Sequence, residues 1–590
     1  MDAEVQKRLA ALESYLESLA PTNLSWNQHV VTHDPQEKPK HAGTFTGRLH
    51  QEYSPTKRAE VLRSDEVDES SFPRAPTGAA SGAPVRIMWS LEYGRYLVAS
   101  RSITAGEVVF RETPLVVAPK PDAGPTCLVC LRALQGAWVE CEGCGAPLCS
   151  SCADDCGHGG EECELLVGLG LKQDPRNIKL IRKLNALLTP LRTMMLMQDS
   201  PDVRSVVAAL QSNVEKRRRL PIGRYVEEHV VESLQRRLGL GVSSVVVHHL
   251  CGVFDTNAFV VSLGKDRMGR ALFPLGAIMN HSCVPNTQHW YKEGVLTVRA
   301  VTDIPEGAPI TNTYTPTLWG THARAAHLAA SKLFTCRCER CLDPIELGSH
   351  ISSVSCRSCQ DGLLVPPSDP RRGWECHACG ASASGDSVEA MVRAAGAAVS
   401  RISPQDAAAI SSTLGHFSRV LGRTHYITVE LKYALIHALM TPSLKGVSDA
   451  DLCRVVDLSK ELLRLAAIID PGLSRFRGVV LLELGRASAE SLERRTPQSS
   501  PTADPDGVST APAADTVPGN NGVPGSEAVV VDDDDDDKGR NTSLHHSTTP
   551  TPFIEAQDLL SLVQECENIL QYDRRLPDVL ALKQQLQTLL

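Results

Sequence analysis

The chain has no long hydrophobic run: no stretch approaches the roughly 18 consecutive apolar residues that a membrane-spanning helix needs. Its first residues, MDAEV, lack the basic and apolar segments of a secretory signal. An excess of positive charge is also missing, because the net charge is −9 over 590 residues. These absences predict a protein without membrane or secretory segments. They also argue against the basic footprint that nucleic-acid binding requires.

Charge is unevenly distributed along the chain. The acidic run Asp532–Asp537 contributes −6 of the net −9, which leaves −3 over all other residues. The main basic run is short and covers Lys216–Arg219. We expect an exposed helix face there, with a nuclear-import signal or a substrate-docking patch as the alternative.

Cysteine, by contrast, is abundant, with 19 residues, and hydrophobic residues make up 42% of the chain, enough for sizeable cores. In the reducing, intracellular location that a missing signal favours, Cys-x-x-Cys pairs bind metal more often than they form disulfides. Eight potential ligands lie between residues 127 and 163: Cys127, Cys130, Cys141, Cys144, Cys149, Cys152, His158 and Cys163. Zinc takes four such ligands in a closed structural site, so eight suit two ions.

Two further cysteine groups follow in the second half of the chain. Cys336, Cys338 and Cys341 offer three thiolates, one fewer than a closed zinc site needs. The pairs at 356/359 and 376/379 have the spacing of a zinc ribbon: Cys356, Cys359, Cys376 and Cys379. A ribbon can contact nucleic acid, but few basic residues surround this one, so we expect a structural strut.

Three motifs downstream of the first cysteine cluster occur in a specific order. They are NHSC at 280–283, EGAPITNTY at 306–314 and FTCRCERC at 334–341. This order resembles the core and post-SET segment of SET-domain lysine methyltransferases, and residues 127–163 resemble a MYND zinc module. A MYND module between the first strands and the core is similar to the SET and MYND family. The ribbon, with Gly94-Arg95-Tyr96, resembles its arthropod-type branch.

The resemblance covers roughly residues 84–490 and implies an α+β fold. Its implied parts are a SET β-core interrupted by a MYND module, a post-SET zinc segment, a zinc ribbon and an α-helical, TPR-like C-terminal domain. In chain order we expect a flexible leader with a short helix (1–83), the first SET part (84–122), the MYND module (123–165), a helical insert (166–250), the SET core (251–316), the post-SET segment (317–345), the ribbon (350–382) and the helical domain (386–590) with a disordered acidic insertion (490–550). Without the resemblance, the amphipathic helices of the C-terminal domain could equally form an ordinary helical bundle instead of a TPR-like repeat.

The resemblance also implies how the zinc ligands are grouped. One ion takes Cys127, Cys130, Cys149 and Cys152, and the second takes Cys141, Cys144, His158 and Cys163. Cys283 of the NHSC motif completes the site of Cys336, Cys338 and Cys341. Only two residues separate Cys149 from Cys152, where the family usually has three, so Cys156 is the alternative to Cys152.

Transfer of a methyl group from a sulfonium to an amine needs a neutral amine held in line with the donor. The resemblance assigns the catalytic hydroxyl to Tyr314. It assigns contacts with S-adenosylmethionine to Gly94, Arg95, Asn257, Asn280, His281 and Phe334. Two departures affect this assignment. Tyr96 replaces the second glycine of the family's Gly-x-Gly loop, and Gly307-Ala308-Pro309 replaces Gly-Glu-Glu.

The implied function is a monomeric protein-lysine methyltransferase that uses S-adenosylmethionine and about four zinc ions. It would act in nucleus and cytoplasm on histone or other protein lysines and influence transcription. The MYND module, near Trp138, would bind proline-rich peptides. The main alternative is a catalytically weak or inactive zinc scaffold that recruits partners; a nucleic-acid-binding ribbon protein is a third possibility, which the acidic charge disfavours.

Overall fold

A computed structural model of the chain describes residues 83–90, 93–154, 158–264, 266–359, 361–367, 372–441, 444–495 and 556–589. The predicted leader helix and almost all of the predicted acidic insertion lie outside these residues. In the part described, the strands form six small sheets. No helix of that part has the length and apolar character needed to cross a membrane.

The first four strands belong to three different sheets. They are β1 (Val85–Ser90), β2 (Gly94–Ala99), β3 (Val108–Glu112) and β4 (Val116–Ala118), of which β1 and β2 form a hairpin. β1 and β2 pair antiparallel, with Ser90 opposite Gly94. Gly94 has φ of +62°, a conformation that costs a glycine little. Leu97 and Ala99 enter the hydrophobic core, so the alternation of side chains places Tyr96 on the opposite face of β2.

The first cysteine-rich segment, residues 127–163, has little regular structure. It contains β5 (Val139–Glu140), β6 (Pro147–Leu148), α1 (Ser150–Asp154) and the start of α2 (Gly160–Leu166). Its cysteines and Leu128 pack against the helices that follow, in one cluster with Leu184, Leu187 and Leu191. The segment is therefore anchored to the fold through apolar contacts as well as through its predicted metal ligands.

A helical region separates the two halves of the β-core. Its α-helices are α3 (Ile178–Asp199), α4 (Pro201–Ala209), α5 (Val214–Arg218), α6 (Pro221–Tyr225) and α7 (Ser244–Asn257). Two 3₁₀ turns (Val167–Leu169 and Leu171–Gln173) and two π-helical segments (Val226–Val231 and Ser233–Arg237) complete it. Helix α7 continues past the predicted boundary at residue 250, because Val253 and Phe254 extend its buried face.

The second half of the β-core closes three sheets. Its elements are β7 (Phe259–Ser262), β8 (Met268–Leu272), α8 (Pro274–Ala277), β9 (Asn280–His281), β10 (Thr287–Lys292), β11 (Val295–Ala300) and β12 (Thr311–Asn312). The sheet orders are β10-β11-β3, β4-β8-β7 and β9-β12, and only the last pair is parallel. Strands from before and after the cysteine-rich segment thus share sheets, so that segment and the helical region are insertions in one core.

The segment after the core leads into a small four-stranded sheet. Its elements are α9 (Thr321–His327), a π-helical turn (Leu328–Lys332), α10 (Glu339–Leu342), β13 (Val354–Ser355), β14 (Leu363–Val365), β15 (Trp374–Cys376) and β16 (Ser382–Ala383). The four strands pair antiparallel in sequence order. Trp374 and Leu364 of this sheet join the core of the helices that follow.

The remainder is helical. The helices are α11 (Gly385–Val399), α12 (Ala407–Val420), α13 (Tyr426–Met440), α14 (Asp449–Ile469), α15 (Arg475–Arg495), α16 (Ala556–Leu570) and α17 (Leu576–Leu589), with a 3₁₀ turn at Leu444–Gly446. From α12 onward, consecutive helices pack against one another, and α16 and α17 both contact α15. The last helices also contact the β-core: the rings of Trp290 and Tyr572 stack 4.5 Å apart, with an interplanar angle of 9°.

Candidate functional site

The parallel pair β9 and β12 is the structural base of the candidate site. Asn280 lies opposite Thr311, and His281 lies opposite Asn312. The side chain of Asn286 holds the second strand in place: its Oδ1 accepts the Thr311 N–H at 2.8 Å, and its Nδ2 donates to the Pro309 carbonyl at 2.8 Å. The NHSC motif and the segment ending at Tyr314 are therefore fixed side by side.

His281 connects this base to the catalytic candidate. Its Nδ1 accepts the backbone N–H of Tyr314 at 3.0 Å, and its Nε2 lies 3.1 Å from the Cys283 Sγ. Burial lowers the pKa of His281 to about 4, so the ring is neutral near pH 7. Because Nδ1 accepts, the single ring proton resides on Nε2, which points toward the sulfur.

Three aromatic rings meet at this point. The ring centroid of Tyr314 lies 5.2 Å from that of His281 and 6.5 Å from that of Phe334, while His281 and Phe334 are 6.2 Å apart. The Tyr314 hydroxyl donates to the Met279 carbonyl at 2.5 Å. Burial raises the pKa of Tyr314, so its phenol stays protonated. Phe334 remains 37% exposed and so presents ring surface to solvent.

The β1–β2 turn borders the same region. Asn280 Nδ2 donates to the Tyr93 carbonyl at 3.4 Å, next to Gly94. A Cβ added at Gly94 would meet no atom within 4 Å, so open space adjoins the backbone there. Arg95 follows, and burial lowers its pKa. Open space beside Gly94, the Asn280 amide and the exposed ring of Phe334 fit a ligand that has a polar part and an aromatic base.

Tyr96 does not enter the hydrophobic core. Its ring contacts that of Tyr93 edge-to-face, with centroids 6.0 Å apart, and its strand partner is Met88. Tyr93 and Met88 are both exposed. The ring that replaces the family's second glycine is therefore packed against the exposed side of the hairpin.

The second departure, at Gly307-Ala308-Pro309, is accommodated by the backbone. The Gly307 and Ile310 N–H groups donate to Ala99 and Leu97, and the Ala308 carbonyl accepts from Ala99. Pro309 lies between these bonded positions, so its missing N–H interrupts no ladder bond. Gly307 has φ of +79°, a conformation that favours glycine at this position.

Asn257, another predicted cofactor contact, ends helix α7. Its Nδ2 donates to the carbonyls of Val253 at 2.7 Å and Gln211 at 2.8 Å. The amide nitrogen is thus engaged with backbone, and a contact with a ligand would have to use the carbonyl oxygen or the main chain. The neighbouring Thr256 carbonyl accepts the Lys332 Nζ at 2.6 Å, which ties this helix end to the segment before Phe334.

The structure brings the four members of each predicted zinc-ligand set together, with all four ligand atoms within 4.8 Å of one another. In the first segment, Sγ–Sγ distances are 3.7 Å for Cys130–Cys149 and 3.6 Å for Cys141–Cys163. Tetrahedral zinc with Zn–S bonds of about 2.3 Å places sulfurs about 3.8 Å apart, so these sets fit the ion. Cys152 is in the first set; Cys156 lies outside the described residues.

The two later sets fit zinc equally well. Cys283 Sγ lies 3.4 Å from Cys341 Sγ and 3.9 Å from Cys336 Sγ. The ribbon has corresponding distances of 3.8 Å for Cys356–Cys379 and 3.7 Å for Cys359–Cys376. The described cysteines are all free thiols. An ion at the Cys283 set would fix the segment that carries Phe334 to the NHSC motif.

A buried charge network supports the Cys283 set and could not be inferred from the sequence. Arg324 is fully buried, donates from Nε to Cys283 Sγ at 3.2 Å and pairs with Glu346 at 2.9 Å. Arg340 also pairs with Glu346 at 2.9 Å. Buried guanidinium groups close to thiolates compensate negative charge where four cysteines share one ion. In the sequence, the only feature that hints at this network is the group of arginines around FTCRCERC.

Lys332 is a second residue that sequence reasoning missed. Its Nζ lies 5.5 Å from the centroid of the Tyr314 ring. It ends the π-helical turn Leu328–Lys332, and π-helical turns are frequent at functional sites. Its position two residues before Phe334 was the only sequence feature that placed it near the site. The periodicity of an α-helix does not predict which side chain of a π-helical turn points inward.

Comparison with known proteins identifies the domain that carries the candidate site. The family model described as "SET domain" matches residues 94–315. Isoforms A and B of the fruit fly (Drosophila melanogaster) SET domain-containing protein SmydA-8 are 34% and 32% identical to the chain, over 48% and 52% of its length. The matches cover 63% of isoform A, less than two thirds of its length, and 67% of isoform B.

A human relative matches over a shorter segment, and a solved structure matches at low sequence identity. Human N-lysine methyltransferase SMYD2 is 42% identical over 74 residues, which are 12% of this chain and 17% of that protein. The crystal structure of the SET domain of LSMT bound to lysine and AdoHcy covers 70% of this chain and 89% of its own, at 12% identity and a TM-score of 0.22. That score is too low for any structural argument.

Proposed function

The chain belongs to the SET and MYND domain-containing family, and from this premise we propose that it is a protein-lysine methyltransferase using S-adenosylmethionine. The observation that carries the proposal is the convergence of Asn280, His281, Tyr314 and Phe334 beside the open space at Gly94. Three motifs that are distant in sequence meet there, in the order that the family uses.

S-adenosylmethionine, when bound, supplies an electrophilic methyl group on a sulfonium. In this proposal the Phe334 ring would stack on the adenine, and Asn280 with the Gly94 backbone would hold the amino-acid part. The Tyr314 hydroxyl, fixed by the Met279 carbonyl, lines the path of the acceptor amine. Burial around Tyr314 disfavours an ammonium and so favours the neutral amine that the reaction needs. His281 fixes the backbone of Tyr314 and thereby the position of its ring.

The Tyr314→Phe variant tests this assignment. The variant removes only the hydroxyl, so we expect kcat with radiolabelled S-adenosylmethionine to fall at least about tenfold, while cofactor affinity stays within about twofold. Core histones serve as acceptor, and a Tyr572→Phe variant, altered far from the site, serves as control. Equal activity of wild type and Tyr314→Phe would contradict the catalytic role.

We further propose that the segment 127–163 is a MYND module that docks proline-rich peptides near Trp138. The Trp138 Nε1 is buried without a hydrogen-bond partner, and the Arg176 guanidinium lies 5.1 Å from the ring centroid. An indole N–H left unpaired is a donor that a peptide carbonyl could satisfy once Arg176 moves aside. Chemical-shift changes at Trp138 on titration with a polyproline peptide test this; no change contradicts it.

The same docking surface supports the second candidate, a scaffold that recruits partners with little or no catalysis. The observation that favours it is the replacement of the family's second glycine by Tyr96. We also propose that the substrates are histone and non-histone lysines and that the protein has a role in transcription. We further propose that it is monomeric and resides in nucleus and cytoplasm. They follow from membership of the family.

A further inference from the structure

A lysine of the chain itself lies against the predicted catalytic ring. Lys332 is half-buried, its Nζ lies 5.5 Å from the centroid of the Tyr314 ring, and it donates to the Thr256 carbonyl at 2.6 Å. The amine therefore contacts the catalytic candidate, Tyr314, and Thr256 at the end of helix α7. The amine of a substrate lysine would also have to approach Tyr314, the residue to which the resemblance assigns the catalytic hydroxyl.

The surroundings of Lys332 favour its neutral form. Burial lowers its pKa, and Asp255 only partly opposes this effect. Asp255 is already paired with Arg217 and, at 2.8 Å, with Arg270. Within the described residues, no carboxylate lies within ion-pair distance of Lys332. His327, whose pKa is lowered by burial and by Lys332, adds no negative charge.

We propose that Lys332 is a methyl acceptor of this enzyme, so that the chain methylates itself in its own active site; this rests on the proposed function. The lone pair of the neutral Nζ forms a bond to the methyl carbon of S-adenosylmethionine. The carbon–sulfur bond breaks, and its electron pair remains on sulfur, giving S-adenosylhomocysteine. The nitrogen becomes a methylammonium, which releases a proton to solvent or keeps it.

Mass spectrometry of the full-length, zinc-loaded chain after incubation with S-adenosylmethionine tests the proposal. We expect a methyl group on Lys332, at a rate independent of protein concentration, and loss of the mark in Tyr314→Phe. Lys216→Arg is the matched control, because the Lys216 Nζ contacts the same segment at the Leu333 carbonyl but is exposed. That variant should keep the mark. No methyl on Lys332, or a rate that rises with protein concentration, would overturn the proposal.

A binding measurement gives a second, activity-free readout. The substrate carries a sulfonium cation, whereas the product carries a neutral sulfur. A neutral Lys332 does not repel the sulfonium, but the permanently charged guanidinium of Lys332→Arg does. Lys332→Arg should therefore weaken S-adenosylmethionine and leave S-adenosylhomocysteine unchanged, while Lys332→Met should keep the ratio of the two dissociation constants near the wild-type value. An unchanged ratio in Lys332→Arg means that Lys332 only caps helix α7, and contradicts the proposal.

These readouts separate the two proposals. If the wild type binds S-adenosylmethionine and methylates histones while Lys332 stays unmodified, self-methylation is wrong and the proposed function stands. If the wild type does not bind S-adenosylmethionine, both fail.

Discussion

Single polar side chains determine the geometry of the candidate site. Asn286 fixes the strand before Tyr314, His281 fixes the Tyr314 backbone, and Arg324 donates to Cys283. Asn280, His281, Tyr314 and Phe334 could be named from the sequence because they belong to motifs with a family order. Asn286, Arg324 and Lys332 could not, because their roles depend on partners that only the folded chain brings close.

Glu112 shows how burial makes one residue sensitive to pH. Its two carboxylate oxygens accept the N–H groups of Leu275 and Gly276, each at 2.8 Å, and burial outweighs these bonds and raises its pKa to about 7. A carboxyl whose folded pKa exceeds its unfolded value near 4.5 is protonated longer in the folded chain. The stability it contributes is therefore lost as pH rises between about 4.5 and 7.

We expect this loss to be roughly 3 kcal/mol, at about 1.4 kcal/mol per pKa unit. Glu112→Gln cannot ionise, so its free energy of unfolding should change less over this pH window than that of the wild type. Denaturant titrations at pH 5 and pH 7.5 measure both slopes. Identical slopes in the two proteins would show that Glu112 keeps an ordinary pKa.

At the scale of elements, cysteine spacing predicted the ribbon set and the presence of two zinc sites in 127–163. The grouping of the eight ligands in 127–163 into two sets came from the family resemblance, and the structure brings each set together. The Cys283 set joins residues more than 50 positions apart, and only the family resemblance indicated it. The π-helical turn before Phe334 was not foreseeable, because apolar periodicity does not separate π from α turns.

Cys283→Ser tests whether metal joins these elements. The variant leaves three thiolates, so we expect bound zinc to fall from about four to about three ions per chain. Deuterium exchange should increase in residues 328–341, since the segment loses its link to the NHSC motif. Cys453→Ser, in a cysteine outside every ligand set, is the control and should keep its zinc. Unchanged zinc content in Cys283→Ser would refute the assignment.

At the scale of the whole molecule, the last helices of the C-terminal region pack against the β-core. Arg299 is almost fully buried and donates to the carbonyls of Gly106 at 3.0 Å and Asn568 at 3.1 Å. The backbone N–H of Arg475 donates to Gln288 Oε1 of β10 at 3.0 Å. The sequence indicated helices in this region, but not their docking on strand β10, because residues 290 and 572 carry no periodic signal that links them.

Trp290→Ala tests this contact. The substitution removes a stacked aromatic pair and part of the interface, so we expect a loss of about 1–3 kcal/mol in unfolding free energy. Because the stack joins the β-core and the helices, their unfolding transitions should also separate. Trp89→Ala, at a position that is 61% exposed, should change stability by less than about 0.5 kcal/mol. Equal melting of the two variants would contradict the interface.

The most direct test of the central claim is calorimetric titration of the full-length, zinc-loaded chain with S-adenosylmethionine. Tyr96 packs against Tyr93 on the exposed side of the hairpin, so we expect the wild type to bind the cofactor. We also expect Tyr96→Gly to bind with an affinity within about threefold of wild type. A wild type that shows no binding at millimolar concentration, together with binding by Tyr96→Gly, would contradict the methyltransferase assignment and favour the scaffold.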